Sequence, residues 1–208
     1  AFEDRRRTLM DLVSLAKNPV PSGAVVGTFP GYDGAPLRFA RWEATRGPRR
    51  GTVCLFTGRA EFIEKYFETV RDLRHRGFAV ATLDWRGQGM SERRLRNPRK
   101  GYVRSFDQYQ VDLETFMHEI VLPDCPPPHF ALAHSMGATI LLRATHAGNR
   151  WFDRIVLLAP RIGLSETRRP AAYHALVRTM RLMGLGSFST PGGDPTVMIR
   201  HPFAENLL

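Results

Sequence analysis

Cysteine is scarce in this sequence of 208 residues, which contains only Cys54 and Cys125, far apart in the chain. Small domains that depend on disulfide bonds are dense in cysteine, so this count excludes a disulfide framework. Cys54 lies in an apolar segment, as expected for a buried thiol. We therefore predict two reduced cysteines and a fold held together by an apolar core, for which a hydrophobic content of 43% is ordinary.

Long apolar runs are also missing. No segment approaches the roughly 20 apolar residues that a membrane-spanning helix needs. The charged residues 1–7 are not followed by the apolar stretch of a secretory signal, and we find neither an internal repeat nor a low-complexity tract. The sequence therefore predicts a globular protein with the cytoplasm as its default compartment.

Acidic side chains are too few to balance the basic ones, since 20 Asp and Glu face 30 Lys and Arg, for a net charge of +10. Such an excess favours nucleic acid, anionic lipid head groups or phosphorylated substrates, and an ordinary arginine-rich solvated surface is the equal alternative. No nucleic-acid motif is present, so we expect no nucleic-acid partner. Gly87 and Gly89 lack the third glycine and the following helix of a dinucleotide fingerprint, and we predict neither a cofactor nor a metal.

Predicted strands and helices alternate along most of the chain, which indicates an α/β fold with a mostly parallel sheet and helices on both faces. A turn at 31–34 joins the first two strands into a hairpin at the sheet edge. Ligands of such sheets bind beyond the carboxyl ends of the strands. The predicted strands are 24–29, 37–42, 52–57, 78–83, 130–133 and 154–159, and the predicted helices are 4–17, 62–75, 105–121, 135–146 and 168–185.

Ser135 lies where an apolar strand turns sharply into a helix. A nucleophilic serine at such a turn is strained and crowds the residues two positions away on each side, so only small side chains fit there. Ala133 and Gly137 occupy these positions, and alanine adds one methyl group to the usual G-x-S-x-G pattern. The alternative is a core helix with a serine N-cap. The pattern alone leaves both interpretations open.

Three motifs in their expected order resemble the α/β-hydrolase superfamily, specifically its lysophospholipase and monoacylglycerol-lipase-like branch, also described as serine aminopeptidase-like. Residues 57–61, Thr-Gly-Arg-Ala-Glu, resemble the oxyanion loop after the third strand. Residues 84–91, Asp-Trp-Arg-Gly-Gln-Gly-Met-Ser, resemble the loop after the fourth strand, in which Asp84 and Arg86 are interpreted as structural. Residues 133–137, Ala-His-Ser-Met-Gly, resemble the nucleophile elbow. The resemblance covers most of residues 20 to 165.

The resemblance implies a serine ester hydrolase that cleaves the acyl ester of a lysophospholipid or monoacylglycerol through an acyl-enzyme. Ser135 is the implied nucleophile, and the backbone amides of Arg59 and Met136 are the implied oxyanion hole. The side chain of Arg59 is also suited to a phosphate, although it is as easily directed to solvent. Because the loop reads Thr-Gly-Arg, the chain most resembles bacterial inner-membrane lysophospholipases. The excess positive charge and the amphipathic helix predicted at 168–185 suit peripheral contact with an anionic membrane surface, and an ordinary cap helix packed on the core is the favoured alternative for that helix.

The resemblance places a triad acid and histidine after Ser135, beyond a lid. The acids and histidines that follow Ser135 are poorly placed for these roles, and Asp194 with His201 is the only conceivable pair. We therefore expect residues 1–164 to be the N-terminal part of a hydrolase core, truncated before its last strands, and 165–208 to be the start of a helical lid. The chain alone is then inactive or nearly so.

Two other functions stay open from the sequence. The same fold without its triad is a catalytically inactive binding or interaction module, although the intact elbow argues against that function. Nucleic-acid binding through the basic surface rests on charge alone.

Overall fold

A computed structural model describes residues 11–97, 101–162 and 170–185. The described strands are β1 (Val25–Pro30), β2 (Pro36–Trp42), β3 (Thr52–Phe56), β4 (Ala79–Leu83), β5 (His129–His134) and β6 (Arg154–Leu158). They form a central six-stranded sheet in the order β1-β2-β4-β3-β5-β6. Strands β3 to β6 are parallel, whereas β2 runs antiparallel to both of its neighbours.

Four α-helices accompany the sheet in the described ranges. The helices are α1 (Phe67–His75), α2 (Asp107–Phe116), α3 (Ser135–His146) and α4 (Pro170–Leu182). Helix α1 is preceded by a 3-10 turn (Ile63–Tyr66), and α2 continues through a π-helical turn (Met117–Val121) into a short helical segment (Leu122–Asp124). None of the helices described is long and apolar enough to cross a membrane.

Apolar side chains cover the sheet on both faces, which confirms the predicted arrangement of helices. On one face, Leu113 of α2 and Ile140 of α3 pack in one cluster with Phe56 of β3. On the other face, Phe67 of α1 packs in a second cluster with Trp42 of β2. Strands β3 and β4 are therefore buried along their whole length, as the continuous apolar runs indicated.

The predicted helix over 4–17 is wrong where it can be seen, because residues 11–18 form no helix and Leu15 pairs with Asn18 in an isolated bridge. Side chains of the core compete for this backbone: Val13 donates its N–H to Glu64 (3.3 Å), and the Asp11 carbonyl accepts from Arg38 (3.0 Å). Apolar spacing alone does not report such contacts with distant residues. The first part of this predicted helix lies outside the described residues.

The predicted lid region is described only in part. Helix α4 lies within the predicted helix 168–185, and its role as a lid stays a prediction. The proposed boundary at residue 164 and the tail with Asp194 and His201 lie outside the described residues.

Candidate functional site

Ser135 occupies the bend between β5 and α3, at the carboxyl edge of the parallel strands. Its φ of 48° is left-handed, a conformation that costs a non-glycine residue about 1–3 kcal/mol and that concentrates at functional sites. Ala60 and Ala159, which follow β3 and β6 at the same edge, also have positive φ values of 57° and 44°. The strained residues therefore gather where the sheet topology places a ligand.

Gly137 explains why the bend tolerates only small residues. A Cβ atom at this position would lie 2.6 Å from the carbonyl oxygen of Thr57 and 2.7 Å from that of Phe56. The first turn of α3 thus rests directly on the backbone at the end of β3. On the other side of Ser135, Ala133 is fully buried between its neighbours in the sheet, so its single methyl group is accommodated.

The backbone N–H groups of the loop 57–61 differ in whether they donate a hydrogen bond. Gly58 donates its N–H to Glu61 Oε2 (2.6 Å), and Ala60 donates its N–H to Gln88 Oε1 (2.7 Å). The Arg59 N–H between them has no hydrogen-bond partner within the described part of the chain. Two bonds therefore shape the loop around one amide that stays available to a ligand.

Met136 supplies a second available amide. It is the second residue of α3, and the first four N–H groups of an α-helix have no partner inside that helix. The helix N-terminus carries a partial positive charge, so this amide is suited to a negative oxygen. Arg59 and Met136, predicted as the oxyanion hole, thus lie on two neighbouring segments of the same sheet edge; that role stays a prediction.

Glu61 joins these two segments. Its Oε2 accepts from Gly58 in its own loop, from the Tyr66 hydroxyl (2.7 Å) and from His134 Nδ1 (2.9 Å), which immediately precedes Ser135. Its Oε1 accepts from Lys65 (2.6 Å). Burial alone raises the pKa of Glu61, but the hydrogen bonds from Lys65, Tyr66, His134 and Gly58 outweigh it and lower the pKa to about 2. Glu61 is therefore ionised at any working pH.

The loop after β4, residues 84–91, contacts the loop 57–61. Trp85 donates its indole N–H to the Thr57 carbonyl (2.9 Å), and Gly89 is required because a Cβ there would collide with the Asp84 carboxylate. Asp84 pairs with buried Arg38, and Arg86 pairs with Asp112 (2.5 Å). These contacts fit the structural interpretation of Asp84 and Arg86.

The structure describes only some of the histidines and acids that follow Ser135 in the sequence. Throughout residues 11–97, 101–162 and 170–185, no group hydrogen-bonds to Ser135 Oγ. His146 ends α3, and Asp153 bonds to His129 at the beginning of β5, the opposite end of that strand from the site. His134 is directed to Glu61.

Two contributors to the site were missed by sequence reasoning. Glu61 was included in a motif without a role, and Gln88 was treated as an ordinary loop residue. The spacing of Glu61 before Lys65 and Tyr66 hints at a local network, but the bond from Gln88 to Ala60 has no signal in the sequence because 28 residues separate the partners.

Comparisons with known proteins show what this chain is similar to. Residues 47–202 match the family Hydrolase_4, described as serine aminopeptidase, S33. The chain is 41% identical over 138 residues to lysophospholipase L2 of Escherichia coli strain K12, covering 65% of this chain and 39% of the relative. It is 30% identical over 137 residues to a probable lysophospholipase L2 of Haemophilus influenzae, covering 66% and 43% respectively. The chain thus spans about two fifths of the length of these relatives.

Solved structures share the fold. A monoacylglycerol lipase from Paleococcus ferrophilus superimposes with a TM-score of 0.60 at 24% identity, covering 82% of this chain and 60% of the other. A thermostable carboxyl esterase from Bacillus coagulans, in complex with glycerol, gives a TM-score of 0.59 at 20% identity, covering 83% and 55% respectively. These likenesses confirm the predicted α/β-hydrolase fold.

Proposed function

Because the chain belongs to the Hydrolase_4 family of S33 serine aminopeptidase-like proteins, an α/β-hydrolase family, we propose that the protein is a serine ester hydrolase. Its proposed substrates are acyl esters of the lysophospholipid or monoacylglycerol type. The observation that carries this proposal is the left-handed Ser135 at the strand-to-helix bend, beside a loop in which the Arg59 amide has no partner among the described residues. The relatives that are named lysophospholipases favour an ester over a peptide bond.

The proposed reaction has two stages. Ser135 Oγ attacks the acyl carbonyl, and the resulting oxyanion accepts hydrogen bonds from the amides of Met136 and Arg59. Each such donor is worth roughly 3–4 kcal/mol of transition-state stabilisation. Collapse of the tetrahedral intermediate breaks the ester C–O bond, the alcohol leaves with a proton, and water then hydrolyses the acyl-enzyme.

A general base must take the proton of Ser135, and we propose that the triad acid and histidine lie in sequence beyond residue 208. The greater length of the matching relatives supports this proposal. A serine that lacks its base loses most of the contribution of the triad, although the oxyanion hole and binding retain some catalysis. The 208-residue chain is therefore expected to hydrolyse esters very slowly or not at all.

Labelling with a fluorophosphonate probe tests the nucleophile. The full-length protein should label and hydrolyse lysophosphatidylcholine or monoacylglycerol, and Ser135→Ala should abolish both signals. Ser14→Ala, at an exposed serine remote in sequence, is the control and should change neither. A folded full-length protein that fails to label would instead support the catalytically inactive binding module. Hydrolysis of a p-nitrophenyl ester by the 208-residue chain, abolished by Ser135→Ala, would refute the external triad.

We also propose that α4 contacts an anionic membrane surface. Leu176, Val177, Leu182 and Met183 expose 42%, 38%, 80% and 67% of their surface in or just after this helix. Residues 170–185 contain no acidic side chain, so basic groups can meet anionic head groups without repulsion.

A further inference from the structure

The carboxylate of Glu61, in the loop 57–61, accepts an unusually large number of hydrogen bonds. Four donors from three segments converge on it: the Gly58 amide of the same loop, Lys65 and Tyr66 of the 3-10 turn, and His134 at the end of β5. Glu61 itself is only 6% exposed. A half-satisfied buried carboxylate is costly, so this complete set of donors makes a rigid junction.

The loop 57–61 and the residue before Ser135 are packed closely around the Glu61 carboxylate. A Cβ atom at Gly58 would lie 2.7 Å from Glu61 Oε2 and 3.0 Å from His134 Nδ1. Gly58 precedes Arg59, whose amide has no partner in the part of the chain that the structure describes, and His134 precedes Ser135. One carboxylate oxygen therefore sets the distance between the two residues adjacent to the proposed amide donor and nucleophile.

The chemistry requires a carboxylate rather than an amide at this position. An ionised carboxylate only accepts hydrogen bonds, and all four partners donate. Because Glu61 cannot donate, His134 must carry its proton on Nδ1 in this contact. A glutamine has one accepting oxygen and one donating NH₂ group, so it loses either the bond from Lys65 or the bonds from Gly58, Tyr66 and His134. It also removes the negative charge that strengthens the bonds that remain.

We infer that Glu61 is a positioning residue for the reaction: it fixes the Arg59 amide relative to Ser135 by bonding Gly58 and His134 with one oxygen. This inference rests on the proposed function. Oxyanion donors act only when they are held within a fraction of an ångström of the developing charge. Loss of the junction is therefore expected to weaken transition-state binding more than substrate binding.

The test compares Glu61→Gln with Glu68→Gln in the full-length protein, using a soluble short-chain ester. Glu68 is an exposed residue in the first turn of α1, so its variant makes the same chemical change away from the junction. For Glu61→Gln we expect kcat to fall about 100-fold, as for loss of an oxyanion donor, with KM within about 3-fold. Affinity for a boronic acid that mimics the tetrahedral intermediate should fall in parallel with kcat/KM. Glu68→Gln should match the wild type.

Tyr66→Phe is the second variant, because it removes one donor to Glu61 and keeps the carboxylate. It should lower kcat about 10-fold with KM unchanged. If Glu61→Gln does not fold, this variant tests the positioning role of Glu61 in its place. An active wild type together with a folded Glu61→Gln or Tyr66→Phe variant of normal kcat overturns the inference alone. A loss that appears in KM only also overturns it. A wild-type protein that neither labels with fluorophosphonate nor cleaves esters overturns the proposed function as well.

Discussion

At the scale of single residues, the bend at Ser135 depends on small side chains at the two positions that flank it, 133 and 137. Gly137 is pressed against the carbonyl oxygens of Thr57 and Phe56, which belong to the backbone and cannot rotate away. Ala133, at the matching position before Ser135, has a methyl group that its buried site already accommodates. The two small residues of the pattern are therefore required for different reasons.

We predict that Gly137→Ala pushes α3 away from β3. The overpacking should cost about 1–3 kcal/mol of stability, measured by urea unfolding, and ester hydrolysis should fall by at least tenfold. Ala133→Gly, which restores the common residue of the pattern, is the comparison, and it should cost about 1 kcal/mol or less and leave activity near that of the wild type. Equal behaviour of the two variants would contradict this account of the bend.

Glu61 also predicts a dependence of stability on pH. Its pKa of about 2 in the folded protein lies below the ordinary value of 4.5, so the unfolded chain binds the proton more readily between these values. The stabilisation by the Glu61 junction is therefore complete above about pH 5 and is lost as pH falls toward 2. Unfolding midpoints of the wild type and Glu61→Gln should converge over this range, whereas a constant gap would argue against the junction.

At the scale of elements, a buried ion cluster connects β2, the 3-10 turn and the loop after β4. Arg38 bonds to both carboxylate oxygens of Glu64 at 2.8 Å and to Asp84 at 2.8 Å, and all three side chains are fully buried. Asp84 also accepts from the amides of Ile63 and Met90. Arg38 therefore holds together three segments that lie close in sequence or space to the loop 57–61, although Arg38 makes no hydrogen bond to that loop among the described residues.

Removing the positive charge of this cluster should lower the free energy of unfolding. Arg38→Met is predicted to destabilise the protein by about 3–5 kcal/mol, because it leaves two buried carboxylates unpaired. Arg76→Met is the control, since it breaks an exposed pair with Asp72 and should cost less than about 1 kcal/mol. Chemical unfolding of both variants measures the difference. A cost below 1 kcal/mol for Arg38→Met would show that the cluster contributes no net stability.

At the scale of the whole molecule, the net charge of +10 and the exposed apolar side chains of α4 both suit the proposed contact with an anionic membrane surface. The full-length protein should co-sediment with phosphatidylglycerol vesicles at low salt, bind phosphatidylcholine vesicles weakly, and dissociate as salt rises. Val177→Glu should reduce the binding severalfold, whereas Val25→Glu, at an exposed valine on the far sheet edge, should not. Salt-sensitive retention on DNA without vesicle binding would favour the nucleic-acid alternative instead.

The sequence by itself determined the alternation of strands and helices, the hairpin with its turn, and the bend at Ser135. These features depend on periodicity and on steric demands within a few neighbouring residues, so local sequence contains them. Only the tertiary structure decided that residues 11–18 are not helical and that Glu61 meets His134, 73 positions away. Contacts of this kind depend on β3 and β5 being adjacent in the sheet, and no local pattern records which distant donor a carboxylate will face.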